Sequence, residues 1–309
     1  MFLLKDLENI SSLEKLEFFA RNLVEGFITG KHKSPYHGFS VEFAEHRLYN
    51  KGESTKHVDW KLFGRTDKLF VKKYEEETNL RCQIIIDTSS SMYYPVQKDV
   101  SFENPNKIFY SVFASAALMN LFKLQRDAVG LSLFSEDVNF HSDCKTTNKH
   151  HISLKKELLK TLHKKEEFKG TQTIDSIHSI ASRLKKRSLV LLFTDMLEGV
   201  SNLDSIFLAL QHLKFNKHEV VLFHLTEKQT EFELDFSNTP HKFIDIETNE
   251  EVNLNPSEIK ESYKKRSEEF LKELKTRCLQ YKIDLVEVDI NKGAEQILTS
   301  YLLKRQKMF

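Results

Sequence analysis

The chain has 309 residues, with 46 lysine plus arginine against 45 aspartate plus glutamate, for a formal charge of +1. Hydrophobic residues at 40% and charged residues at 29% are globular proportions, which exclude a disordered or fibrous chain. The even charge balance argues against a dedicated nucleic-acid binder, and the length suits one large domain or a domain with an appendage.

In chain order, residues 2–27 show helical spacing at Leu3, Leu7, Ile10, Leu13, Leu16, Phe19 and Leu23. Lys5, Asp6 and Glu8 break the apolar start, so it reads as a poor signal peptide. Residues 28–78 are polar and aromatic with little sustained period, which predicts an irregular arm. From Leu80 the pattern changes. Arg81–Asp87 reads as a buried strand, 106–125 as a helix, 129–134 as a strand and 138–141 as a short edge strand. Helices follow at 150–164 and 173–186, then a wholly apolar strand at 188–194, a helix at 202–214 and a strand at 219–225. Such alternation predicts an α/β fold, a doubly wound and mainly parallel sheet with helices on both faces. Residues 227–255 interrupt it with a hairpin insertion. A charged helix from Pro256 to about Tyr281, a strand at 283–290 and a helix at 293–306 close the chain. The expected division is 1–78, a helix and arm packed on the main domain, and 79–309, the main domain.

No apolar run approaches the roughly 18 residues of a membrane span. The three cysteines, Cys82, Cys144 and Cys278, are odd in number and far apart, which supports neither a disulfide framework nor a zinc knuckle. The expected localisation is cytoplasmic.

Chemistry concentrates in Asp87-Thr-Ser89-Ser-Ser91. The preceding run puts Asp87 at the carboxyl end of a strand, the edge where open parallel sheets bind ligands. One carboxylate and two hydroxyls at alternate positions of one surface loop are hard oxygen donors. They suit Mg²⁺, which keeps several waters, better than a softer metal. Thr194-Asp195 ends a second apolar strand. Gly170-Thr171-Gln172-Thr173 precedes a helix, with its hydroxyls within reach of the same crevice. The competing reading of the serine string is simple helix capping.

Other chemistries fare worse. A haloacid dehalogenase-type phosphatase needs an acid where Ser89 stands. There is no GxxxxGK and no GxSxG. His32, His37, His150 and His151 lack HExxH spacing and read as surface residues. Lys155-Lys156, Lys164-Lys165 and 183–187 read as solvated helix faces. Phe109, Phe113, Met119 and Phe122 have the helical spacing of core residues.

The DTSSS string resembles the DxSxS of the metal-ion-dependent adhesion site in von Willebrand factor A domains. The Gly170-Thr171 step is similar to that fold's threonine loop, and Thr194-Asp195 to its later acidic loop. This likeness implies a site of Asp87, Ser89, Ser91, Thr171 and Asp195, with Thr173 as the other threonine choice, holding Mg²⁺ (or Mn²⁺ or Ca²⁺) against a partner's acidic side chain. The residues Arg47-Leu-Tyr49-Asn-Lys-Gly52-Glu53, Val58-Asp59-Trp60 and Arg65-Thr66, with Phe243-Ile-Asp245-Ile-Glu247-Thr248 and Tyr301–Arg305, resemble a bacterial family catalogued as domain of unknown function 58. Ser54-Thr55-Lys56 departs from that family's doubled acid and arginine. Asn249 stands where a turn glycine is usual, and asparagine also tolerates positive φ.

Asp59 and Arg65 are spaced to pair, and Trp60 is a natural aromatic anchor, so the arm reads as locked by a buried ion pair and an aromatic plug. The other reading makes the arm a partner surface of Arg47, Tyr49, Asp59, Trp60 and Arg65. The resemblance implies a non-enzymatic adaptor of a MoxR-type AAA+ ATPase in the assembly or maturation of other proteins. The alternatives are a metal-dependent hydrolase using Asp87 and Asp195, or a structural subunit with a vestigial metal site.

Overall fold

Runs such as LVLLFT and VVLF carry apolar residues on both faces, so they must be covered on both sides. The computed structural model places them there. It describes residues 12–29, 45–49, 58–73, 80–97, 99–162, 173–196, 199–215, 217–246 and 250–306. The chain divides into two compact units, residues 31–79 and the remainder.

The smaller unit holds β1 (Glu45–Leu48), α2 (Trp60–Thr66) and β2 (Phe70–Lys73). β1 and β2 pair antiparallel. The expected irregular arm therefore contains regular structure. Its strands are four residues long, too short for alternation to rise above the surrounding polar sequence.

The larger unit begins with α1 (Ser12–Thr29), followed by β3 (Arg81–Asp87), α3 (Lys107–Leu124), β4 (Ala128–Phe134) and β5 (Val138–His141). α4 (Asn148–Leu162), α5 (Thr173–Arg183), β6 (Leu189–Thr194), α6 (Gly199–Phe215) and β7 (Glu219–Thr226) come next. The insertion carries the antiparallel hairpin of β8 (His241–Ile244) and β9 (Glu251–Leu254). α7 (Pro256–Gln280), β10 (Asp284–Asp289) and α8 (Glu295–Gln306) finish it. Six strands form one sheet in the order β10-β7-β6-β3-β4-β5. Every pairing is parallel except that of β4 with the edge strand β5.

Strand side chains alternate between the two faces. Ile84, Ile86, Leu191, Phe193, Val221 and Phe223 join a core with residues of α1, α3, α4 and α8. Ile85, Val190, Leu192, Val220 and Leu222 join a second core with α5, α6 and α7. This is the doubly wound, mainly parallel α/β sheet that the sequence predicts.

α3 corrects one expectation. Its 18 residues are long and apolar enough to cross a membrane, and 72% of that window is buried inside the protein. Here they form the core helix between the sheet, α1 and α4.

Two surface expectations also fail. Lys155 is buried, because its ammonium donates to Glu17 at 3.0 Å and to Asn120 at 2.9 Å. His151 is 2% exposed, and neither ring nitrogen has a hydrogen-bond partner. Burial, helped by Lys123, His150 and Lys155, pushes its pKa from 6.5 to about 4. Between those values the unfolded chain binds a proton that the folded chain refuses. This contribution to stability is thus complete above pH 6.5 and falls as pH drops toward 4. Urea unfolding of a His151→Leu variant is expected to lose stability less steeply across that window. Parallel slopes for variant and wild type would refute the assignment.

Candidate metal centre

The topology itself makes the crevice. From β3 the chain crosses to β4 on one side, and it later returns to β6 on the other. Loops leaving the carboxyl ends of β3 and β6 therefore diverge, and a ligand can sit between them. Asp87 is the last residue of β3, and Asp195 follows the last residue of β6.

Asp87 is 1% exposed. The backbone N–H of Ser89 donates to its Oδ1 at 2.9 Å, and the Thr194 hydroxyl donates to its Oδ2 at 2.8 Å. The N–H of Met196 in turn donates to the Thr194 hydroxyl at 3.1 Å, which fixes that rotamer. Burial raises the Asp87 pKa from 3.8 to about 7, and the charge of Asp195 adds to the rise. The bonds from Ser89 and Thr194 hold it down in part.

The loop after Asp87 tightens into a 3₁₀ turn, Ser90–Tyr93. This brings the hydroxyls of Ser89 and Ser91 to 3.0 Å from each other. Both serines are buried, which corrects the expectation of a surface loop. Adjacent oxygens around Mg²⁺, held octahedrally at roughly 2.1 Å from the ion, stand about 3 Å apart. The serine pair has that spacing, so the donor set fits a small hard cation. Among the described residues no three Asp, Glu, His or Cys side chains cluster as a metal site. The set here is two carboxylates, Asp87 and Asp195, with serine hydroxyls.

Asp195 has a different immediate partner. The ammonium of Lys107 donates to its Oδ2 at 2.8 Å and also to Glu231. Burial works to lower the Lys107 pKa, but Asp195 and Glu231 more than reverse that and hold it above the ordinary lysine value. Burial raises Glu231, against the pull of Lys107. His224 donates through Nε2 to the Asp195 carbonyl at 3.1 Å. Burial depresses its pKa to about 4, so the ring is neutral at pH 7.

Glu231 lies on a short turn, Lys228–Phe232. Its carboxylate also accepts the N–H of Glu227 at 2.8 Å. Tyr94 donates to Thr230 at 2.6 Å, and Tyr263 on α7 donates to the Glu231 carbonyl at 2.7 Å.

Asp87, Ser89, Ser91 and Asp195 thus meet at one sheet edge. Thr171 lies outside the described residues, and Thr173 opens α5 with its side chain outside them. In the smaller unit, Asp59 caps α2 by accepting the N–H groups of Lys61 and Leu62 at 3.0 and 3.1 Å. Arg65 is exposed, so no buried Asp59–Arg65 pair forms. Trp60 is 61% exposed and meets Phe63 edge-on. A cap at Asp59 is the commoner use of an aspartate just before a helix. The N–H of Tyr49 bonds the Leu69 carbonyl at 2.9 Å, and the side chain of Arg47 lies outside the described residues.

The sequence reading missed Lys107, Glu231, His224 and the bond from Thr194. Lys107 opens the mostly apolar helix α3, directly after the cap residue Asn106, a place that by itself does not mark it.

The comparisons with known proteins add the following. A family model described as "Protein of unknown function DUF58" matches residues 45–272. Uncharacterized proteins of Mycobacterium tuberculosis and Mycobacterium bovis are 27% identical over 82 residues, 26% of this chain and 26% of theirs. The chain therefore spans about a quarter of the length of these curated relatives. Among solved structures, the conserved hypothetical protein BatB from Bacteroides thetaiotaomicron aligns with a TM-score of 0.43 at 16% identity, covering 74% of this chain and 100% of that one. An aerotolerance-related membrane protein from Bacteroides fragilis aligns at 0.42 and 15% identity, covering 73% and 99%.

Proposed function

The chain belongs to the DUF58 family, whose function is unknown, and from that premise we propose that it is a von Willebrand factor A-like adaptor that holds Mg²⁺ at the β3–β6 crevice to engage an acidic protein partner. The observation that carries this reading is the buried Asp87 beside two serine hydroxyls 3.0 Å apart at the switch point of a parallel sheet. Asp87, Ser89, Ser91 and Asp195 would hold the ion, with Thr171 or Thr173 as a further oxygen donor. The ion, when bound, supplies a positive charge that favours a carboxylate from outside. The protein's own part is orientation. Thr194 and the Ser89 N–H fix the Asp87 carboxylate, and the 3₁₀ turn fixes the two hydroxyls. The chain acts without catalysis, in the cytoplasm. Its partner is a MoxR-type AAA+ ATPase in the maturation of other proteins, by analogy with the resemblance in its arm and metal loop.

Calorimetry with Mn²⁺ or Mg²⁺ is expected to show one site, with affinity as weak as millimolar because neutral hydroxyls offset little of the dehydration cost. Pull-down of a purified MoxR-type ATPase should require the divalent ion and be lost with chelator. No divalent binding by the wild-type protein would remove the proposal, and capture indifferent to chelator would remove the metal edge as the contact. Ser91→Ala is expected to weaken capture about tenfold with its melting temperature in chelator within a few degrees of wild type. Undiminished capture by that variant would count against the serine pair as ligands.

A further inference from the structure

Lys107 occupies a position that elementary electrostatics disfavours. It is the first residue of α3, where the helix dipole repels a cation, and its side chain is wholly buried. Its ammonium lies 2.8 Å from Asp195, also bonds Glu231, and stands 5.7 Å from the centre of the Tyr94 ring. So placed, it bonds Asp195 and Glu231, and Asp195 is at the same time the charge that acts on Asp87.

We propose that Lys107 is the built-in cation of this crevice, competing with a divalent ion for Asp195 and shifting onto Glu231 when the ion takes that carboxylate. The inference rests on the metal-binding reading above and adds a regulator to it. Two positive groups so close repel, and Asp195 cannot give its full charge to both. Glu231 is the natural receiver because Lys107 already touches it. It also sits on the turn whose Thr230 accepts Tyr94 and whose Glu231 carbonyl accepts Tyr263 of α7. A shift of Lys107 toward Glu231 therefore reaches the outer helix α7, a route from the metal edge to the flank of the domain.

Two substitutions with opposite signs test this. Lys107→Met keeps length and volume but removes the charge, and is expected to bind Mn²⁺ about tenfold more tightly. Glu231→Gln removes the receiver, leaves Lys107 on Asp195, and is expected to bind Mn²⁺ about tenfold more weakly. Calorimetry reads both, and thermal melts in chelator establish that each is folded. Hydrogen exchange on the folded wild type should show Mn²⁺ altering protection at residues 228–232, and the same addition should leave Glu231→Gln unaltered there. If the wild type binds Mn²⁺ and a folded Lys107→Met binds it equally or less well, the competition is refuted and the metal site survives. Should Lys107→Met fail to fold, unchanged Mn²⁺ affinity in Glu231→Gln refutes it instead. If the wild type does not bind Mn²⁺, the metal-binding reading falls, and this inference with it.

Discussion

An Asp87→Asn variant is expected to lose divalent-ion binding by about a hundredfold or more while melting higher than wild type in chelator. The two effects have one cause. Asp87 is buried beside Asp195, and burial with that neighbouring charge raises its pKa from 3.8 to about 7. Between those values the folded chain keeps a proton that the unfolded chain has released. Stability from this group therefore falls as pH rises from about 4 to about 7, and above 7 the folded protein carries the full cost of the charge. Asparagine keeps the shape and can still accept the Ser89 N–H, but it carries no charge. At pH 8 the gain is expected to be about 1–3 kcal/mol. The measurement is paired: calorimetry with Mn²⁺, and chemical denaturation at pH 8 in chelator. A variant that is both ion-binding and no more stable would contradict the assignment of Asp87 as a ligand held at a cost to the fold.

The second large effect is in the sheet. Gly130→Ala is expected to destabilise the fold by about 2–4 kcal/mol. A Cβ on Gly130 would stand 2.3 Å from Gln83 Oε1 and 2.7 Å from the backbone carbonyl of Ser142. Neither obstacle can step aside cheaply. Gln83 is wholly buried, donates to the Ser132 hydroxyl at 2.8 Å and accepts from the Cys144 thiol at 3.3 Å. Moving it leaves buried polar atoms unpaired. The Ser142 segment is tied to β4 by its own N–H to the Leu131 carbonyl at 2.9 Å. A second change, Gln83→Ala, should recover part of the loss, since it clears one clash and leaves the other. Urea denaturation decides the matter, and a cost under about 1 kcal/mol would show that the strand relaxes more freely than this packing allows.

Much of the larger unit was legible because its signals are redundant. Strands such as Leu189–Thr194 are apolar at every position before the last, and a strand–helix alternation has few topologies available to it. Asp87 and Asp195 were legible for the same reason, since each follows an apolar run that ends at the edge where such sheets bind ligands. Lys107 was not, because a single lysine at a helix start carries no sequence mark of the distant carboxylates that hold it. Asp195 and Glu231 come from loops 88 and 124 residues further on. The arm was misread in its details. Asp59 and Arg65 have a spacing that suits an ion pair, but the Asp59 carboxylate instead accepts the N–H groups of Lys61 and Leu62 at the start of α2.

The order of the strands also sets when the crevice can exist. Asp87 and Thr194, which share a hydrogen bond, are 107 residues apart in the chain. β3 first gains its neighbour β4, and the β6 side of the crevice is completed only when a much later segment has been made and paired. Such a long closure is entropically slow. A nascent chain ending before β6 carries the aspartate and both serines but not the threonine that orients the aspartate. A divalent ion bound as proposed would therefore be a spectator during synthesis, and refolding should proceed at the same rate with and without it, its effect being confined to the unfolding limb.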